Sequence, residues 1–241
     1  MNLLAFDTST QTMSVAVQRI VHGSGPAGQS SQVWQHSAPG GAQTSSTLIP
    51  TIQRLMAQAG LQFADLAAIA FGRGPGSFTG LRTACAVAQG LAFGADVKVL
   101  PIDSLLSVAE EARARHATGL KRCQVMALLD ARMDEMYASC YLFDSEKWTQ
   151  IKDVSLIRPE VLVGDAHTLL AGNVFAAYGA RLPASLSQRV DALPTATAML
   201  RLAPALLAAG GAVRADQALP LYVRDKVAKT TGERAAEKAA L

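Results

Sequence analysis

The sequence has few aromatic residues and lacks any long, uninterrupted apolar run. Aromatic side chains make up 5% of its 241 residues, although half of the residues are hydrophobic. This composition indicates an interior packed through small aliphatic side chains and excludes a disordered chain. The apolar run before Asp7 is short, and the C-terminal one is broken by Arg201 and Pro204. Neither fits a signal peptide or a membrane span, so we expect a cytoplasmic protein without membrane contact.

Disulfide and metal-binding patterns are also missing from the sequence. Cys85, Cys123 and Cys140 are odd in number and widely separated, which predicts buried, reduced thiols. The histidines show no spacing typical of metal ligands; they are His22, His36, His116 and His167. No metal or other cofactor is predicted.

The charge of the chain does not indicate direct, strong binding to nucleic acid. Its formal net charge is only +3, and basic residues alternate with acids, as in "VRDKVAKTTGERAAEKAAL". A nucleic-acid-binding domain usually carries a continuous basic patch instead.

The order of predicted elements indicates an α/β fold. Strands are predicted at "NLLAFDTST", "MSVAVQRIV" and "SQVWQHS", and an amphipathic helix from Ser46 to Ala59 with caps at Ser46 and Gly60. Next come a strand at "LAAIAFG", a helix at "FTGLRTACAVAQGLAFG", a strand at "VKVLPID" and a helix at "SLLSVAEEARARHA". Strands and helices in alternation are typical of the α/β class.

The opening pattern of the chain occurs a second time. The stretch "VMALLDARMDEMYASCYLF" again has an apolar strand that ends in aspartate, a polar turn and a returning strand. Asp130 takes the place that Asp7 has in the first copy. Two related halves are therefore predicted.

The glycine-rich segment "AFGRGPGSFTGLR" resembles a phosphate-binding loop but fails the common templates. It contains no lysine, which excludes a Walker A loop, and its glycines do not follow G-x-G-x-x-G. We predict a tight strand-to-helix turn at Gly72, Gly74, Pro75, Gly76 and Ser77. Anion binding through free N–H groups at the start of the helix is the alternative.

The helix after the glycine segment has a strip of small residues. Gly80, Ala84 and Ala88 recur at four-residue spacing, which would let another helix approach closely. The strip could belong to the core of its own domain or to an interface with a partner. Replacing Ala84 by glutamate separates these alternatives, because it would unfold the chain in the first case and only prevent pairing in the second.

The two strand-end aspartates allow two interpretations. Asp7 with Ser9, and Asp130 in the second half, could hold a metal-bound phosphate across a cleft, as in actin-like ATPases. Alternatively, each carboxylate accepts N–H bonds in a turn. A peptidase is not supported, because Ser77 lacks the G-x-S-x-G context and a base placed by motif.

Four stretches together resemble the bacterial TsaB family, also called YeaZ-like. They are "LLAFDTST", "AFGRGPGSFTGLRTACAVAQGLAFG", "ALLDARMDEMYA" and "PLYVRDKVA", and they span Leu3 to Ala228. The resemblance implies two actin-like, RNase H-like domains related by duplication, each with a mixed sheet flanked by helices. We expect the first domain at residues 1–108, completed by 220–241, and the second at 109–219.

The resemblance also implies a function. Members of this family are accessory subunits in the formation of N6-threonylcarbamoyladenosine at position 37 of tRNA. They bind and activate the catalytic paralogue TsaD, act with the ATPase TsaE, reach tRNA through that complex and form homodimers in isolation. The metal-binding histidine pair of the catalytic relatives has no counterpart on the predicted helix from Ser46, near which the chain has Gln43. TsaB proteins often have a histidine just before this helix, and its absence here is a small departure from the family pattern.

The family's interface lies on the same two helices, and the glycine turn would aim the second of them. The predicted contact residues are Leu48, Ile52, Leu55, Met56, Gly80, Ala84, Val87 and Ala88. Asp7, Ser9 and Asp130 would be a vestigial phosphate or metal site. The alternative function is an active actin-like ATPase or small-molecule kinase that uses Asp7 and Asp130.

Overall fold

The computed structural model describes residues 1–22, 29–165, 167–186 and 188–224. Within these residues, ten strands form two sheets. The first sheet contains β1 (Leu3–Asp7), β2 (Thr12–His22), β3 (Gln29–Pro39), β4 (Ala68–Gly74) and β5 (Val99–Asp103). The second contains β6 (Arg122–Arg132), β7 (Glu135–Asp144), β8 (Lys147–Ile157), β9 (Leu169–Gly172) and β10 (Arg189–Asp191).

The two sheets share one topology. Their strand orders are β3-β2-β1-β4-β5 and β8-β7-β6-β9-β10. In each sheet the first three strands are antiparallel, and the last two run parallel to the central strand β1 or β6. Asp7 ends β1, and Asp130 lies near the end of β6. The predicted duplication and the predicted RNase H-like domains are therefore confirmed.

Five α-helices cover these sheets in the described part of the chain. They are α1 (Thr44–Ala59), α2 (Phe78–Ala95), α3 (Ser104–His116), α4 (Phe175–Tyr178) and α5 (Ala196–Ala208). The apolar faces of α1 and α2 pack on one side of the first sheet, in a core with Leu4, Phe6, Val15 and Ile69. None of the helices in the described ranges is long and apolar enough to cross a membrane.

Helices α3 and α5 each pack on the sheet of the other half of the chain. Leu105 and Val108 of α3 pack on the second sheet, whereas Met199 and Leu200 of α5 pack on the first. The predicted boundary between residues 108 and 109 falls inside α3, and the range 109–219 includes a helix of the first sheet. Each sheet needs a helix on its open face, and the chain supplies that helix from the other half.

The C-terminal segment contacts the first half through Ala218 and Leu221, whereas Arg224 pairs with Glu135 of the second half at 2.7 Å. The backbone N–H of Leu221 donates to the carbonyl oxygen of Arg73 at 2.7 Å, and the Gln89 side chain donates to the carbonyl oxygen of Ala218 at 2.9 Å. The remainder of the predicted 220–241 segment, residues 225–241, lies outside the described residues.

Several details of the secondary structure differ from the sequence-based expectation. The strand β8 was not predicted, because most of its side chains are exposed at a sheet edge and give no apolar alternation. Helix α1 begins at Thr44 with Gln43 as its N-cap, not at Ser46, although Gly60 ends it as expected.

Two buried carboxylates join α3 to α5. Glu110 and Glu111 are only 2% and 5% exposed, and Arg201 of α5 donates to both, at 2.7 and 2.8 Å. Their other donors or ion-pair partners are Arg113, Arg115, Trp148 and Thr195. Burial alone would raise the pKa of Glu110, but the donors Arg113, Arg201 and Trp148 hold it below the usual 4.5.

Replacing Arg201 by methionine is expected to destabilise the junction between the halves. Glu110 and Glu111 would lose a shared donor in a buried site, so we expect a loss of about 2 kcal/mol in the free energy of unfolding, reduced because Arg201 is partly exposed. The contribution of Glu110 exists above its unfolded pKa and disappears as pH falls through its lowered folded pKa. Urea titrations at neutral and acidic pH measure both effects.

The matched control is Arg122→Met. Arg122 pairs with Asp144 at 3.7 Å, and their side chains are 69% and 46% exposed. Its loss should cost less than about 1 kcal/mol. Equal effects of the two substitutions would contradict a structural role for the buried network.

Candidate functional site

The glycine segment packs directly against the chain that follows β1. A Cβ atom built at Gly72 would overlap the Asp7 carboxylate, and one at Gly76 or Gly80 would overlap the carbonyl oxygen of Ser9 or Thr8. Glycine is therefore required at these positions because any side chain would push the two segments apart.

The polar groups of this turn are bonded within the chain. The backbone N–H of Ser77 donates to the carbonyl oxygen of Ser9 at 2.7 Å, and the Thr8 hydroxyl donates to the carbonyl oxygen of Gly80 at 2.7 Å. Ser77 is the N-cap of α2, and its hydroxyl accepts from Gly80 N at 3.5 Å. The strand-to-helix turn is observed, and these hydrogen bonds tie it to the residues that follow β1.

Asp7 is sealed inside this arrangement. Its side chain is completely buried, and it accepts from the N–H of Ser9 at 2.7 Å, the Ser9 hydroxyl at 2.6 Å and the Ser104 hydroxyl at 2.8 Å. Burial raises the pKa of Asp7 above its usual 3.8, although these hydrogen bonds act in the opposite direction. The carboxylate thus stabilises a turn and joins β1 to the start of α3.

Asp130 faces a different environment. It lines a cleft of about 170 Å³ between the halves, together with Ser9, Gly76 and Asn173. It accepts from the Tyr178 hydroxyl at 3.0 Å and from Arg132 N at 2.8 Å. Asp7 does not line this cleft, so the structure does not bring the two predicted carboxylates together around one cavity.

The substitution Asp7→Asn is expected to preserve the fold and to remove a pH dependence. Asparagine can accept from Ser9 and donate to the Ser104 hydroxyl in the same space. With a raised folded pKa, the native state binds the proton more tightly, so stability is greatest below the ordinary pKa of 3.8 and falls as pH rises through the folded pKa. Denaturation measured between acidic and neutral pH should therefore show that the free energy of unfolding of the variant increases, relative to that of the unmodified protein, as pH rises. Parallel curves would show that this carboxyl is not desolvated.

The predicted interface side chains face the interior of the chain itself. Those that are at most 3% exposed are Leu48, Ile52, Leu55, Met56, Ala84 and Ala88, and Gly80 is buried as well. Only Val87 is partly exposed. The small strip lets α2 lie close to its own sheet, and α1 packs beside it; contact of these side chains with a partner stays a prediction.

The outer faces of the same helices carry the exposed apolar groups. Phe93 on α2 is 85% exposed, and Ile49 on α1 is 41% exposed. Ala86 and Gly90 on α2 are also exposed to solvent. We call Ile49, Ala86, Gly90 and Phe93 the outer face. Sequence reasoning missed it because the buried strip and the outer face of α2 both consist largely of small residues.

Other chemistries lack a built site in the described ranges. No group of three or more histidine, cysteine, aspartate or glutamate side chains could hold a metal ion there. Cys85, Cys123 and Cys140 are free, and burial raises the pKa of all three thiols. The Ser77 hydroxyl serves as a helix cap. These groups do not form an activated nucleophile.

Comparison with known proteins gives one consistent similarity over most of the chain. The family model described as "TsaD: tRNA N6-adenosine threonylcarbamoyltransferase" matches residues 29–232. The chain is 33% identical to the tRNA threonylcarbamoyladenosine biosynthesis protein TsaB of Haemophilus influenzae, over 94% of this chain and 95% of that protein. It is 31% identical to TsaB of Escherichia coli, over 95% and 96%. The solved structure of YeaZ from Pseudomonas aeruginosa superimposes with a TM-score of 0.79 at 35% identity, covering 92% of this chain and 99% of that one.

Proposed function

Because the chain belongs to the TsaB family of tRNA threonylcarbamoyladenosine biosynthesis proteins, we propose that it is the accessory subunit that binds and activates the catalytic paralogue TsaD. The subunit would stabilise the conformation in which TsaD binds its substrates, so it would need no catalytic residue of its own. TsaE and tRNA would join through this complex. In isolation the same surface would pair with a second copy.

The outer face is the observation that carries this proposal. Phe93 is a large apolar side chain held 85% exposed on a regular helix, beside the small residues Ala86 and Gly90. Small residues let a second helix approach closely, and an aromatic side chain at such a contact supplies much of the binding energy. A helix of TsaD packed along α2 would bury both features.

The buried state of Asp7 supports a role without chemistry. A carboxylate that is completely buried and bonded to Ser9 and Ser104 has no open side for a phosphate-bound metal. The family model carries the name of the transferase, but helix α1 has no histidine where the resemblance predicts the metal-binding pair of the catalytic relatives. The similarity to TsaB extends over more of the chain than this family model does.

Replacing Phe93 by aspartate is expected to weaken association with TsaD by at least about tenfold, because an aromatic anchor is lost and a charge is desolvated. Size-exclusion chromatography with mass measurement, followed by calorimetry, measures the complex. Restoration of tRNA modification in a reconstituted reaction with TsaD and TsaE measures the function. The unmodified chain should support both.

The matched control is Val163→Asp on the second half, where valine is 72% exposed. This substitution should leave association unchanged. If the unmodified chain neither binds TsaD nor restores modification, the accessory role is wrong. If it instead binds Mg-ATP with micromolar affinity and Asp7→Ala abolishes that binding, the ATPase or kinase alternative is favoured.

A further inference from the structure

A groove of about 590 Å³ lies beside the start of α2 and is separate from the outer face. Three distant segments contribute to its lining: residues 76–82, residues 131–137 at the β6–β7 hairpin, and residues 221–224. Its lining contains three arginines and three aromatic rings but no carboxylate; these are Arg82, Arg132, Arg224, Phe78, Tyr137 and Tyr222. Cationic and aromatic groups in one concave site favour an anionic ligand that also has a flat ring.

The ring pair at one side of the groove is open to solvent. The ring centroids of Phe78 and Tyr222 are 5.4 Å apart, and the residues are 40% and 47% exposed. Arg82 lies over the Phe78 ring at 3.8 Å, and its Nε donates to the Tyr222 hydroxyl at 3.0 Å. These contacts fix the two rings and the guanidinium as one preformed surface.

The arginines of the groove are incompletely neutralised. Arg132 pairs with Asp130 at 3.4 Å, and Arg224 pairs with Glu135 at 2.7 Å, while Arg82 forms no ion pair with any residue that the structure describes. Three guanidinium groups therefore face two carboxylates. The first turn of α2 adds the positive end of its helix dipole.

Arg224 also has a donor with a weak partner. Its Nη1 donates to the thioether sulfur of Met133 at 3.0 Å, and Met133 itself lines the groove. A thioether is a poor acceptor, so a phosphate oxygen would be a stronger partner for this nitrogen.

We propose that this groove binds a nucleotide, with the phosphate held by Arg82, Arg132 and Arg224 and the base placed against Phe78 and Tyr222. The volume suits one nucleotide. The ligand could be a free nucleotide or one unit of single-stranded RNA, since both present a phosphate beside a base that can stack on aromatic rings. Nucleotide binding here goes beyond the accessory role and does not require TsaD.

The test uses the full chain in the presence of EDTA. Calorimetry with AMP examines the free nucleotide, and fluorescence anisotropy with a labelled short oligoadenylate examines RNA. Arg82→Gln and Tyr222→Ala should each lower the affinity for the probe by about five- to tenfold, because they remove a charged contact or a stacking surface. Arg122→Gln, an exposed arginine outside the groove, should have no effect. Circular dichroism verifies that each variant is folded.

The outcomes separate the sources and can overturn the proposal. Binding of AMP supports a free nucleotide, and binding of the oligoadenylate alone supports RNA. The proposal would be overturned if neither probe binds, or if Arg82→Gln and Tyr222→Ala leave binding unchanged. It would also be overturned if pyrophosphate binds with the same affinity as AMP. A chain that associates with TsaD but binds neither probe would refute the groove and leave the accessory role intact.

Discussion

Replacing Ala84 by glutamate is expected to unfold the isolated chain, whereas the same substitution at Ala86 is expected to leave it folded. The two residues are neighbours on α2, but Ala84 is completely buried in the core of the first half and Ala86 is exposed. A glutamate at position 84 would be an unpaired carboxyl among Leu4, Ile69 and their neighbours. We expect a loss of roughly 4 kcal/mol or more, enough to unfold a marginally stable domain.

Circular dichroism and urea denaturation of both variants measure this difference. The free energy of unfolding of Ala86→Glu should lie within about 0.5 kcal/mol of that of the unmodified chain. The variant should nevertheless weaken association with TsaD, because it places a charge on the outer face. If Ala84→Glu stays folded and loses only its partner, the small strip belongs to an interface and the described packing of α2 is wrong.

Replacing Gly80 by alanine is expected to lower the free energy of unfolding by roughly 2–3 kcal/mol. A Cβ atom at this position would overlap the carbonyl oxygen of Thr8, which is backbone and cannot rotate away. Relief of the overlap would move α2 away from the end of β1 and stretch the bond from the Thr8 hydroxyl to the Gly80 carbonyl oxygen. The gain in helix propensity is smaller than this cost.

Gly90→Ala provides the matched control within the same helix. A Cβ atom added at Gly90 would meet no atom within 4 Å outside its chain neighbours and the adjacent backbone of α2, so alanine there should be neutral or stabilise the chain by up to about 1 kcal/mol. Denaturant midpoints of the two variants give the comparison. Equal midpoints would mean that the glycine segment is not packed against the residues after β1.

The sequence predicts the strands and their duplication well because apolar alternation and the strand-end aspartates are local signals. Asp7 and Asp130 occupy equivalent strands, as the repeated pattern indicates. The orientation of α2 is not a local property. Both faces of this helix carry small side chains: Gly80, Ala84 and Ala88 on one, and Ala86 and Gly90 on the other. Periodicity alone therefore cannot tell which face meets the sheet.

The remaining features depend on contacts between distant segments. Burial of Asp7 results from Gly72 and Ser104, which follow it by more than sixty residues, as the bond to Ser104 shows with its separation of 97 residues. The arginine groove likewise combines Arg82, Arg132 and Arg224, which no spacing rule connects. The exchange of α3 and α5 was not predicted, because both helices are apolar enough to cover either sheet.

That exchange has a consequence for biosynthesis on the ribosome. One face of the first sheet is covered by α5, which ends at Ala208, so that face stays open until the residues up to Ala208 have left the exit tunnel. Until α5 has packed, only one face of the first sheet is covered by helices, and Leu3, Ala5 and Ala70 on the other face are accessible to chaperones. Truncation before α5 would leave this face permanently open, and we expect such fragments to aggregate.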